Sequence, residues 1–166
     1  MAFFEEVLPD TPGWVPIITK DPFGRLTVFK WFMWPDEKAA MGRYVEAHGS
    51  SDVYFKPMTF TQPPSLTDPR HATKANVLRC DVVYCDGDDM DPSKLAILPT
   101  TFVRTSPGHW HGYWRFLDAE NLSNNDLEDL SHGLYNAHAA DGMDRGWPLA
   151  KMLRVPWSYN TKPEYG

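Results

Sequence analysis

Short apolar stretches alternate with polar, turn-rich stretches along most of this chain. Their β-branched and aromatic residues predict strands over 25–34, 52–61 and 76–86, and the last of these runs directly into an acidic turn. The stretch 100–118 is typical of a β-hairpin, and a short strand near 152–155 leads into a turn. The pattern therefore predicts a sheet that is built from several short strands.

Two further stretches have the features of helices. The first covers 35–49, and the second covers 123–140, where three leucines recur at spacings of three and four residues. Ser123 and Asp126 have the spacing of a capping box at the start of the second helix, with Asp in place of the usual Glu. Helices interspersed with strands and a hairpin predict an α+β or mixed α/β fold, with a mixed central sheet and flanking helices.

Composition places these elements in a single globular domain, residues 1–166. Of the 166 residues 42% are hydrophobic, and no apolar run approaches the ~18–20 residues that span a bilayer. The start of the chain lacks the basic and apolar segments of a signal peptide, and two cysteines, Cys80 and Cys85, do not make a disulfide framework. We therefore expect a cytoplasmic protein in a reducing compartment, with no membrane contact.

The net charge of −6 argues mildly against an extended nucleic-acid surface, because Lys and Arg carry phosphate binding. The net charge does not show that acidic and basic residues are segregated along the chain. Residues 116–144 include seven acids and no Lys or Arg, whereas residues 145–162 include four basic residues and no acid. A local anion site is compatible with this distribution.

The strand over 76–86 enters the sequence VVYCDGDDMD, which has four aspartates within six residues. Side chains alternate along a strand, so Asp86 and Asp88 point the same way at the rim of a sheet. Hard divalent cations such as Mg²⁺ and Mn²⁺ bind such paired carboxylates and leave their other positions to water and substrate phosphate. The alternative is a solvated turn in which aspartates cap backbone amides.

One face of the second hairpin strand, in the sequence HWHGYWRF, is cationic and rich in hydrogen-bond donors. It consists of His109, His111, Tyr113 and Arg115. Arg104 and Ser106 of the partner strand are candidates to join it. His and Arg donors suit the oxygens of a triphosphate, and the alternative is a solvated outer face. No Cys or third His lies at a zinc-like spacing, so no structural zinc is expected.

The third stretch that carries candidate chemistry is GMDRGWPLAKMLRVPWSYNTK, residues 142–162. It contains a further aspartate, the whole basic cluster, and Asn160 and Lys162 after a turn that contains proline. A third carboxylate would help to hold metal ions, and the lysine would help to bind a nucleotide. The alternative is an ordinary strand and turn with surface Lys and Arg.

Taken in order, these three stretches resemble the archaeo-eukaryotic primase superfamily. The shared features are D-x-D, then S-x-G-x-x-H, then an Asp followed by L-R-x-P-x-x-x-N-x-K, over roughly residues 52–162. Within that superfamily the chain is similar to the primase–polymerase domains of bacterial phages and plasmids. The resemblance implies an RRM-like catalytic core and a DNA primase–polymerase that joins NTPs or dNTPs on a single-stranded DNA template.

The resemblance also implies roles for individual residues. Asp86 and Asp88 match the metal-binding pair, and His111 matches the histidine that contacts the triphosphate of the incoming nucleotide. The third motif supplies a further metal ligand, for which Asp144 is the better match and Asp141 is the alternative. The segment that lines the nucleotide or template side supplies Arg154, Asn160 and Lys162. The implied mechanism is nucleotidyl transfer with two Mg²⁺ or Mn²⁺ ions, in phage or plasmid replication in a bacterial host cell.

The chain departs from the family pattern in two ways. Trp157 stands where a glycine is usual, and a bulky indole there would reshape the pocket or stack on a base. The chain also ends soon after the third motif, so we expect an excised N-terminal part of a longer replication protein, with a helicase domain or protein downstream. Two other classes stay open: a non-catalytic module that binds single-stranded DNA or an origin, and a two-metal phosphohydrolase or nuclease.

Overall fold

Two antiparallel sheets form the body of the protein. The computed structural model of the chain describes residues 2–21, 23, 25–158 and 160. Within these residues the α-helices are α1 (Ala2–Val7), α2 (Lys38–Ala47) and α3 (Asn124–His138). The strands are β1 (Gly13–Lys20), β2 (Leu26–Trp34), β3 (Asp52–Phe55), β4 (Thr59–Phe60), β5 (Val77–Arg79), β6 (Val82–Asp88), β7 (Thr101–Ser106), β8 (His109–Arg115) and β9 (Leu153–Arg154).

The larger sheet is built around β1, which has β2 on one edge and shares its other edge between β3 and β4. Further out, β3 pairs with β9 and β4 pairs with β5. Strand β1 was not predicted. It contains Pro16, and proline is unusual in the interior of a sheet. Pairing along its second edge passes from Trp14–Phe60 to Ile17–Phe55 and skips Pro16, so the missing N–H is not needed by a neighbour there.

The smaller sheet has the order β6–β8–β7, again with antiparallel pairing. The strand predicted over 76–86 is divided between the two sheets, because its first part, β5, pairs with β4 and its second part, β6, pairs with β8. At the crossing point, the Asp81 carboxylate accepts a hydrogen bond from Arg79, and the Asp81 carbonyl accepts one from Phe116 N–H. The predicted α+β class is confirmed, whereas the single mixed central sheet is wrong.

The single strand predicted over 52–61 is wrong, because it is divided into β3 and β4, whereas the other predicted elements are present with shifted ends. The hairpin predicted over 100–118 is confirmed as β7 and β8, and the helix predicted over 123–140 is confirmed as α3. Ser123 and Asp126 form the predicted capping box, with each side chain accepting from the backbone N–H of the other residue. The helix predicted over 35–49 is shorter. None of the helices in the described part of the chain is long and apolar enough to cross a bilayer.

Helix α1 closes one end of the space between the two sheets. The ring of Phe3 packs edge-on against Phe55 of the larger sheet and Tyr113 of the smaller sheet, with centroids 5.3 and 5.7 Å away. On its other face, the smaller sheet carries a second apolar cluster, against which α3 packs. This cluster consists of Cys85, Met90, Leu95, Trp110 and Met143. The smaller sheet is therefore covered by α3 on one side and faces the larger sheet on the other.

Candidate active site between the two sheets

The face of the smaller sheet that looks toward the larger sheet changes from apolar to polar along its length. The register of β6 and β8 gives three successive cross-strand pairs on this face. They are Tyr84–Tyr113, Asp86–His111 and Asp88–His109. The first pair is fully buried, the side chains of the second are 18% and 6% exposed, and those of the third are 49% and 24% exposed. The space between the sheets is therefore core at one end and an open polar cleft at the other.

Close packing on the opposite face of the sheet explains the glycine between the two aspartates. A Cβ atom at Gly87 would lie 2.3–2.6 Å from the indole ring of Trp110. This indole is buried, and its Nε1 donates to the carbonyl of Met90 at 2.8 Å. The alternation of β6 then turns Asp86 and Asp88 together into the cleft, as the D-x-D pattern predicts.

Asp144 reaches the same cleft because residues 142–144 run alongside the end of β6. Asp88 N–H donates to the carbonyl of Gly142 at 3.1 Å, and Asp144 N–H donates to the carbonyl of Asp86 at 2.8 Å. Gly142 has a φ of 102°, and a Cβ there would lie 2.6 Å from the carbonyl oxygen of Asp88, so glycine is required for this approach. Three carboxylates from two segments of the chain thus line the cleft.

Asp141, the alternative third carboxylate, lies outside the cleft. It ends the 3₁₀ turn that follows α3, where its carboxylate accepts a hydrogen bond from Lys94 Nζ at 2.6 Å and contacts His138 Nδ1 at 3.3 Å. Lys94 and His138 hold the pKa of the Asp141 carboxyl below its usual range. Of the two candidates, the fold brings Asp144 to the paired aspartates.

The opposite wall of the cleft belongs to the larger sheet and carries cations. Its residues are Lys20, Tyr54, Lys56 and Arg154. Arg154 is buried, donates to the Asp52 carboxylate, and donates to the Tyr54 hydroxyl at 3.0 Å. The charged groups of Lys20 and Arg154 each lie 4.9 Å from the centroid of the Tyr54 ring. The cleft, with a volume of about 510 Å³, thus sets a carboxylate wall against a cationic wall.

The positive charge near the carboxylate wall does not fully offset the burial of Asp86 and the repulsion from its neighbours. Burial, together with the nearby carboxylates of Asp88 and Asp144, raises the pKa of Asp86 to about 6. Lys151 offsets part of this effect. A buried carboxylate with two like charges beside it is stabilised by any cation that reaches it.

His111 is neutral in the free protein, in contrast to the cationic face predicted from its sequence. Burial, with the positive charges of Arg154 and Lys151, lowers the pKa of His111 to about 3. The contact between His111 Nε2 and Asp86 Oδ1, at 3.5 Å, is therefore not an ion pair at pH 7. His111 can donate a hydrogen bond to an anion, and the positive charge of the cleft comes from Lys and Arg.

Lys151 lies between two of the three carboxylates. Its Nζ is 3.5 Å from Asp144 Oδ2 and 3.9 Å from Asp86 Oδ2. A cationic group thus already lies among oxygen donors, which are the ligands that hard divalent ions prefer. In the part of the chain that the structure describes, no three His, Cys, Asp or Glu side chains form a complete metal-binding group. The chemistry and charge of the wall fit a divalent cation, which would compete with Lys151 for these oxygens.

A β-bulge separates the two predicted cleft residues of β7. The register shifts between Arg104 and Ser106, so Ser106 pairs with His109 and lines the cleft. Arg104 pairs with Trp110, which places it on the other face of the sheet. The prediction that Arg104 joins the face of the histidines is wrong, because a bulge interrupts the two-residue alternation of a strand.

Of the remaining predicted residues, some line the cleft and others do not. Arg115 lies at the far end of β8, 3.0 Å from Asp10 and outside the cleft. Arg154 and Asn160 line the cleft, and their side chains are 3.3 Å apart. Lys162 lies outside the described residues.

The sequence prediction missed several residues of the cleft, and four of these carry a charged or phenolic group. They are Lys20, Tyr54, Lys56 and Lys151. The last belongs to the basic segment 145–162, whose segregated charge was the one signal that pointed toward it. The others come from the larger sheet, and no local pattern states which of its faces meets the acidic strand.

Comparison of this chain with protein-family models, with curated proteins and with solved structures finds no match. The functional proposal therefore rests on the arrangement of the cleft and on the order of the three motifs along the chain.

Proposed function

We propose that this chain is a template-dependent nucleotidyltransferase, a DNA primase–polymerase that joins NTPs or dNTPs on single-stranded DNA. The observation that carries the proposal is the register that pairs Asp86 with His111 inside one cleft. Asp144 joins them from a second segment, and the wall opposite is cationic. Nucleotide transfer needs metal ions and a triphosphate bound side by side, and a carboxylate wall facing a cationic wall supplies sites for both.

The proposal extends to the type of fold. The smaller sheet, with α3, would be the part of an RRM-like core that carries the metal-binding residues, and the larger sheet would supply the nucleotide-binding wall. Motif order is read along the chain, whereas the pairing of β6 with β8 is a property of the fold. Because these two observations are separate, their agreement supports a catalytic core similar to that of archaeo-eukaryotic primases.

Asp86, Asp88 and Asp144 would hold two Mg²⁺ or Mn²⁺ ions, because these hard cations prefer carboxylate oxygens. When bound, such ions lower the pKa of a 3′-hydroxyl and balance the charge of a triphosphate. The raised pKa of Asp86 indicates that its carboxylate gains from a cation. The chain contributes the position of the three carboxylates, which β6 and residues 142–144 fix through backbone hydrogen bonds.

The cationic wall would bind the phosphate oxygens of the incoming nucleotide. Lys56 lines the cleft, where its Nζ donates to the carbonyl of Ala72 at 2.7 Å, and although burial lowers its pKa to about 8 it stays largely charged at pH 7. Arg154 is held in place by Asp52 and Tyr54. Neutral His111 would donate a single hydrogen bond to the triphosphate and would not form an ion pair with it.

Replacing His111 with alanine should weaken nucleotide binding and slow synthesis by about 10²-fold, with binding of the template unchanged. We expect nucleotide affinity to fall rather than template affinity, because His111 is buried in the cleft beside Asp86. Initial rates over a nucleotide titration, with template affinity measured separately, test this. The control His48→Ala lies at the end of α2, outside the cleft, and should change neither quantity. Unchanged rate and affinity in His111→Ala would show that this histidine does not contact the nucleotide.

Replacing Lys151 with methionine should tighten the binding of Mn²⁺ to the free protein about threefold to tenfold and lower the rate of synthesis. Methionine has a similar length but no charge, so the competition for Asp86 and Asp144 disappears. Calorimetric titration without nucleotide measures the metal affinity. Lys94→Met, which removes the partner of Asp141 outside the cleft, is the matched control. Equal or weaker Mn²⁺ binding in Lys151→Met would contradict the competition.

The products made from a labelled primer, a single-stranded template, nucleotides and Mn²⁺ distinguish the proposed class from its alternatives. A nucleotidyltransferase lengthens the primer and releases one pyrophosphate for each nucleotide joined. A phosphohydrolase or nuclease releases phosphate or shortens a strand, and a pure binding module does neither. Lengthening with matching pyrophosphate supports the proposal, and phosphate release, strand shortening or no product at all overturns it.

A further inference from the structure

A second cleft, of about 350 Å³, lies beside the first one, on the same two segments of the chain. Strand β7 contributes Phe102 and Arg104 to it, and the turn after β9 contributes Pro156 and Trp157. We refer to these four residues as the Trp157 cleft. Helix α1 contributes Glu6, so Arg104 and Glu6 are its charged members.

Trp157 is held in an unusual conformation at the mouth of this cleft. Its side chain is 85% exposed, and its φ of 64° lies in the left-handed region that favours glycine. A large aromatic residue therefore stands in solvent at a position where the backbone would accommodate glycine more easily. Neither core packing nor backbone geometry accounts for an indole at this position.

Phe102 brings a rigid aromatic surface to the Trp157 cleft from the edge strand β7. The ring of Phe102 is stacked on that of Trp110, with centroids 5.1 Å apart and planes at 25°. Trp110 is buried and hydrogen-bonded to Met90, which fixes this surface, while Phe102 itself is 45% exposed. Arg104 is exposed and pairs across the strands with Trp110. Exposed aromatic faces with an arginine beside them are suited to stacking bases and a phosphate.

The two clefts are lined by neighbouring residues of β7 and of the segment around β9. Ser106 and Arg154 line the first cleft, whereas Arg104 and Trp157 line the second. Val103, which lines the second cleft, pairs across the strands with His111, which lines the first, so a polynucleotide that ends in the first cleft can extend into the second. We infer that the Trp157 cleft binds unpaired bases of single-stranded DNA by stacking, with Arg104 on the backbone. This inference rests on the proposed function, since it makes the bound strand the template.

Binding of a fluorescent oligothymidylate, followed by anisotropy in EDTA and low salt, tests the inference without any catalytic step. Trp157→Gly should weaken binding about tenfold, and Trp157→Phe should keep most of the affinity because it keeps a ring to stack. Glycine suits the backbone at this position, so the Gly variant should unfold at the temperature of the wild type or above it. Arg104→Ala should weaken binding and reduce its salt dependence.

Matched controls are Leu117→Ala, an exposed apolar residue beyond the far end of β8, and Arg43→Ala on α2. Both should bind as the wild type does. Equal binding by wild type and Trp157→Gly overturns the inference alone. The proposed function is tested separately by primer extension with the wild-type protein at saturating template. Wild-type protein that binds single-stranded DNA but never extends a primer would overturn the proposed function and leave the stacking cleft supported.

Discussion

Replacing Asp86 with asparagine is expected to lower metal-dependent nucleotide transfer by about 10³-fold while it stabilises the metal-free protein. Asp86 is the most buried of the three carboxylates in the cleft, and burial with two like charges raises its pKa to about 6. A shift from 3.8 to about 6 corresponds to a cost of about 3 kcal/mol for the ionised form at pH 7. Asp86→Asn also loses the contact with Lys151, so we expect a net increase of about 1–2 kcal/mol in the free energy of unfolding.

The pH dependence of unfolding gives this prediction a second readout. The folded protein binds the proton of Asp86 more tightly than the unfolded chain does, so this contribution to stability is full below pH 4. It is lost as the pH rises toward 6. Urea unfolding in EDTA at several pH values should show this decline in the wild type and a smaller one in Asp86→Asn. Asp129→Asn, on the exposed face of α3, should behave as the wild type does. If Asp86→Asn synthesises at near the wild-type rate, the assignment of Asp86 to the catalytic site is wrong.

Replacing Asp144 with asparagine should abolish synthesis and weaken Mn²⁺ binding, whereas the same change at Asp141 should leave the rate unaltered. Asp144 is hydrogen-bonded to the backbone of Asp86 and shares the cleft with it. Asp141 pairs with Lys94 on the surface beyond α3, so its replacement should cause only a small loss of stability. Mn²⁺ titration and primer extension on both variants test the assignment.

The opposite pattern, an inactive Asp141→Asn beside a normal Asp144→Asn, would move the third carboxylate three residues upstream. Activity in both variants would show that two aspartates suffice and would contradict the three-carboxylate site. Each variant is the matched control for the other, because the two substitutions are chemically identical and lie three residues apart in the chain.

The parts of the site that local periodicity determines were predicted correctly. Asp86 and Asp88 share a face, as do His109 and His111, because side chains alternate along any regular strand. The position of Asp86 opposite His111 depends on how two distant strands pair, and no local pattern specifies that register. The same limit explains Arg104, which a single bulged residue moves to the other face of the sheet.

The parts of the fold that depend on long-range packing were not predicted. The central strand of the larger sheet contains Pro16, which argues against a strand until the register shows an edge that skips it. Lys20 and Lys56 reach the cleft only because the two sheets face each other, so their role follows from tertiary structure. Trp157 stands out in the sequence as a departure from a family pattern, and only the fold shows how exposed it is.

Primer synthesis on an unprimed single-stranded DNA circle tests the central claim most directly. The reaction contains Mn²⁺ or Mg²⁺, a labelled nucleotide of each class, and wild-type or Asp86→Asn protein, with products resolved on a denaturing gel. A primase–polymerase makes oligonucleotides whose composition follows the template, and the Asp86→Asn variant makes about 10³-fold less. No product from the wild type with any nucleotide and either metal, both on the bare circle and on a circle with an annealed primer, or equal product from both proteins, would contradict the claim that this cleft joins nucleotides.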